Sequence, residues 1–79
     1  MQVTVCLLLC TGLPEEWLVT ESPEKAARWV RTQIAERLAR PWLMPGTKAT
    51  AEDLAEWFNS RYSEGGGKYE LHVHQTVVQ

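Results

Sequence analysis

Two histidines and two cysteines are the residues of this chain best suited to chemistry. His72 and His74 stand two apart in an alternating segment, which puts both imidazoles on one strand face roughly 6.5 Å apart. With Cys6 or Cys10 from a neighbouring strand they could supply part of a zinc site. Zinc, however, needs three or four convergent ligands. If residues 2–10 are extended, Cys6 and Cys10 share a face but lie about 13 Å apart, so they cannot both join. Nor can they bridge each other, since the Cα atoms of a disulfide lie within about 7 Å. The expectation is therefore no bound metal, reduced thiols, and exposed imidazoles beside Glu70 and Thr76. Cys10 could still pair with another chain.

No Ser/His/Asp or Cys/His/Asn grouping is identifiable, so there is no oriented base to activate a nucleophile. Gly65–Gly67 precedes a strand rather than a helix and lacks the context of a phosphate-binding loop. The sequence predicts neither a catalytic site nor a cofactor. It points instead to binding.

Two features could serve a partner. Lys25, Arg28, Arg31, Arg37 and Arg40 put five of the eight basic residues on one predicted helix. Such a helix could follow a phosphate backbone. The opposing reading is a solvated helix, because Glu21–Lys25, Glu24–Arg28 and Glu36–Arg40 all stand at helical pair spacing. Arg28 and Arg31 are the two expected to meet a partner. The second feature is the connection "RPWLMPGT", residues 40–47. Its prolines restrain Trp42, Leu43 and Met44, which either cap a thin core or present a rigid apolar knob. Leu43 is expected inside and Trp42 or Met44 partly outside. Trp beside Arg is a common hot-spot composition. Arg28, Arg31, Arg40, Trp42 and Met44 are thus the candidate partner-binding residues.

These residues need elements to hold them. Residues 2–10 are apolar on both faces, as in a central strand or one whose back face meets another chain. Residues 11–15 are turn chemistry, and 17–20 suit a short returning strand. Ser22 can cap a helix, with Pro23 at its first position and Glu24 at the positive end of its dipole. That helix is expected to run to about Arg40, burying Ala27, Val30, Ile34 and Leu38, flanked by Ala26 and Trp29. Pro41 ends it. A second helix starts at Thr50, with Asp53 in place of the usual Glu or Gln of a capping box. Leu54, Trp57, Phe58 and Tyr62 line its apolar side, and Gly65–Gly67 stop it. Residues 68–78 alternate: Tyr69, Leu71, Val73 and Val77 against Glu70, His72, His74 and Thr76.

The predicted fold class is α+β, in the order β-(β)-α-α-β. Two antiparallel helices would cover one face of a two- or three-stranded sheet. If residues 17–20 pair with the first strand, chain geometry predicts a last strand parallel to the first; otherwise the two are antiparallel.

Length and composition agree with one compact domain over residues 1–79. The chain is 44% hydrophobic and 23% charged, with four Trp and a net charge of −2. That charge is too small to define a partner, and no direct DNA binding is expected. A chain this short hides only about 60–65% of the surface its unfolded form exposes, so its core is thin. No apolar run reaches the 18 or so residues of a membrane span. "MQVTVCLLLC" has no basic segment before it and no small-residue cleavage site, so it reads as a strand rather than a leader. The expected setting is cytoplasmic, as a monomer or homodimer.

A compact, mildly acidic α+β domain without a catalytic motif, carrying the capped helix "TAEDLAEWFNSRY", resembles the small anti-CRISPR proteins of phages and mobile elements. The resemblance implies a stoichiometric inhibitor that binds a bacterial CRISPR-Cas surveillance complex and blocks its DNA recognition. It carries over no site residues. The strand, turn, short strand and "TESPEKAARWVRTQIAERL" are also similar to the ββα layout of HicB-type antitoxins, with a departure in the second helix and last strand.

Overall fold

The computed structural model describes residues 1–37, 44–46, 48–62 and 69–78. Strands β1 (Gln2–Cys10), β2 (Glu16–Thr20) and β3 (Tyr69–Val77) form one sheet, and helices α1 (Pro23–Arg37) and α2 (Ala51–Tyr62) pack on it. The strand order is β2-β1-β3, with both flanking strands antiparallel to β1. The chain is α+β with β2 present.

Local chemistry explains each element. The β1–β2 hairpin turns through Gly12 at φ 83°, with Leu13 N–H donating to the Cys10 carbonyl at 3.1 Å. A positive φ at this position is what a type II turn asks of glycine. Ser22 caps α1 by accepting from Lys25 N–H at 3.2 Å. In α2 the capping box closes both ways: Asp53 N–H donates to Thr50 Oγ1 at 3.1 Å, and Thr50 N–H donates to the Asp53 carboxylate at 3.3 Å.

The two faces of β1 have different fates. Cys6 and Leu8 point into the helix layer and are buried with Leu71, Ala26, Val30, Ile34, Leu54 and Phe58. In α1 the stripe centres on Ala26, Val30 and Ile34, at intervals of four; Ala27 and Trp29 only flank it. Leu38 lies outside the described residues.

The helices do not run antiparallel, as the sequence suggested. Both follow the direction of β1. Ser22 N–H, just before α1, donates to Thr20 Oγ1, and Thr20 pairs with Thr4; at the other end Arg37 reaches Glu16, which pairs with Leu8. In α2, Glu52 accepts from Gln75, opposite Thr4, while Asn59 bonds Leu71, opposite Leu8. The physical reason is the length of the connection. Residues 38–50 can reach roughly 40 Å, enough to return along the whole of α1, which is about 22 Å long. With the path reset, β3 enters antiparallel to β1 although β2 also pairs with it. The expected link between a β1–β2 pair and a parallel last strand is overturned.

Candidate functional site

Because the helices run the same way, their N-termini open onto one cleft. The cleft has a volume of about 430 Å³, and its walls include Arg28 and Arg31 from α1, Lys48 from the segment before α2, and Thr4 from β1. Arg28 and Arg31 are three apart on α1 and so share one side of it. The ion pairs expected along this helix do not form at Glu21–Lys25 or Glu24–Arg28. Glu24 instead accepts from the Ser22 hydroxyl at 3.1 Å, and Arg37 takes Glu16 at 3.2 Å and Glu36 at 3.6 Å. Arg31 also donates to the Gly46 carbonyl, tying the connection back to α1.

Among the other expected partner-binding residues, Met44 is half-buried and packs against the core. Arg40, Trp42 and Leu43 lie outside the described residues, as does the Glu36–Arg40 pairing.

Two acids border the cleft. The Glu52 carboxyl is held below its ordinary value, first by the hydrogen bond from the Gln75 side chain. Burial works against that shift, while the Glu52 backbone and Thr50 assist it.

The second surface is the sheet face turned away from the helices. Register sets Trp17 and His72 on either side of Leu7, and Val19 and His74 on either side of Val5. Trp17 is 56% exposed and Val19 60% exposed. Large apolar groups this open, in line across a sheet, are informative where a lone exposed leucine is not. The imidazoles of His72 and His74 stack at 6.5 Å with 4° between planes, and His72 meets Glu70 at 3.2 Å. The two-sided apolar run of β1 suggested a central strand or a back face that meets another chain; β1 is the central strand, and the register adds Trp17 to its back face.

The same register dissolves the zinc arrangement. Cys6 points into the helix layer, whereas His72 and His74 lie on the opposite face. Among the described residues no three His, Cys, Asp or Glu side chains gather as metal ligands. Burial raises the Cys6 thiol to about 11, with the Glu52 charge adding to the effect, so Cys6 holds its proton and is a poor nucleophile. Among the described residues, no helix is long and apolar enough to cross a membrane.

Compared with known proteins, the chain matches no family model, no curated protein and no solved structure.

Proposed function

We propose that this protein is a non-catalytic binding protein that acts as a stoichiometric inhibitor, docking the open face of its sheet onto a larger bacterial protein or nucleoprotein complex. The observation that carries this reading is the row across β2 and β1 in which exposed Trp17 and Val19 stand beside half-buried Leu7 and Val5. This part of the sheet face is apolar, with an aromatic anchor, and is bordered by His72 and His74. It suits the broad face of another protein better than a small molecule, which prefers a concave site. The resemblance to small anti-CRISPR proteins supplies the target class: a CRISPR-Cas surveillance complex in the bacterial cytoplasm, blocked before it recognises DNA.

The test is direct. Purified protein is titrated into a reconstituted surveillance complex, and target-DNA binding is followed by gel shift. Loss of DNA binding at one equivalent, abolished by Trp17→Ala, supports the reading. Unchanged DNA binding across representative complex types rejects the CRISPR assignment.

A second reading rests on the observed β1–β2–α1 order, which matches the ββα layout of HicB-type antitoxins. It predicts a tight complex with a small toxin protein, and co-expression with such a toxin would rescue growth.

A further inference from the structure

We propose that the cleft between the N-termini of α1 and α2 binds a phosphate group carried by a small molecule. The inference is independent of the sheet face and of the inhibitor reading. Each helix presents roughly half a positive charge at its N-terminus, and parallel packing aims both at one space. The caps use the N–H groups of Lys25 and Asp53. Those of Glu24 and Ala51, earlier in the same first turns, have no intrahelical acceptor. Around them stand three cations, Arg28, Arg31 and Lys48, against two carboxylates, Glu24 and Glu52. Both carboxylates are already engaged, with Ser22 and Gln75 respectively.

Thr4 is the observation that points to a ligand. It is a polar residue only 5% exposed, between apolar neighbours near the start of the core strand β1, and it lines this cleft. Its hydroxyl has no hydrogen-bond partner, yet no fully enclosed side-chain oxygen lacks one among the described residues. The hydroxyl must therefore reach the open space of the cleft. A hydroxyl that opens onto the cleft without a protein partner is available to donate to a bound group. A tetrahedral phosphate dianion accepts from several directions at once. It suits a guanidinium fork, an ammonium point charge, helix N–H groups and a hydroxyl together. At about 430 Å³ the cleft has room for more than the phosphate itself, and falls within the usual range of small-molecule sites.

The experiment follows backbone amide shifts of the whole chain by NMR. Inorganic phosphate, glycerol phosphate and glycerol are titrated separately, with chloride holding ionic strength constant. Saturable shifts at Glu24, Ala51 and Thr4 are expected with both phosphates, tighter for glycerol phosphate, and none with glycerol. Arg28→Gln with Lys48→Gln, both at exposed positions, should weaken binding at least about tenfold with the fold intact. Thr4→Val, which keeps the shape and removes the donor, should weaken it several-fold. Linear, unsaturable shifts, or equal affinity in the double variant, would overturn the site. Binding of a short single-stranded oligonucleotide in place of either phosphate would overturn the small-molecule assignment.

Discussion

Asn59 on α2 holds both main-chain groups of Leu71 on β3: its Nδ2 donates to the Leu71 carbonyl at 2.7 Å, and its Oδ1 accepts from Leu71 N–H at 2.9 Å. One side-chain amide thus plays the part of a neighbouring strand at the outer edge of the sheet. Open edges invite pairing with other chains, and this one is partly closed by a helix.

Asn59→Ala should destabilise the domain by on the order of 2–3 kcal/mol, since two main-chain groups lose their partners in a part-buried setting. Urea denaturation measures the loss. Self-association should rise at the same time, which light scattering would show. A change within experimental scatter in both would mean that water replaces Asn59 without cost.

Ile34→Asp should abolish folding. Ile34 is fully buried among the α1 and α2 stripes, and an unpaired carboxylate there has neither water nor a counter-charge. Circular dichroism should show no cooperative melt. A transition within a few degrees of wild type would contradict the packing described.

Stability should fall in mild alkali because of Cys6. The unfolded chain releases the thiol proton near the ordinary value of 9.0, whereas the folded chain keeps it to about 11. The unfolded state therefore binds fewer protons through that window. The contribution is complete below it and declines by on the order of 2–3 kcal/mol across it. Comparing denaturation midpoints of wild type and Cys6→Val across the window isolates the effect, because the variant lacks the titrating group. In native protein Cys10, half-buried, should alkylate well before Cys6.

Trp17→Ser separates docking from folding. With more than half of its surface open, Trp17 should cost the fold less than roughly 1 kcal/mol when replaced. As a docking anchor it should cost at least about 2 kcal/mol of partner binding. A sharp drop in melting temperature, with binding retained in the cold, would make Trp17 a packing residue and remove the basis for the proposed face.

Local rules were legible from the residues alone. The Ser22 and Thr50 caps, the apolar intervals of α1 and α2, and the alternation of β3 were legible because each depends on residues only a few positions apart. The two-sided character of β1 was legible for the same reason, and it pointed to a face beyond the helices. Helix direction, the sense of β3, and the face each chemically capable residue occupies came from long-range packing. Periodicity says which side of an element is apolar but not which way the next element travels. That was set by the long return between Arg37 and Ala51. Strand register then separated Cys6 from His72 and His74, since the parity of a pairing decides the face of every side chain in it. Asn59 carried no local signal, because its partner lies 12 residues away. The gathering of Thr4, Arg28, Arg31 and Lys48 at one cleft likewise exists only because two helix N-termini, far apart in the chain, are brought to the same end of the sheet.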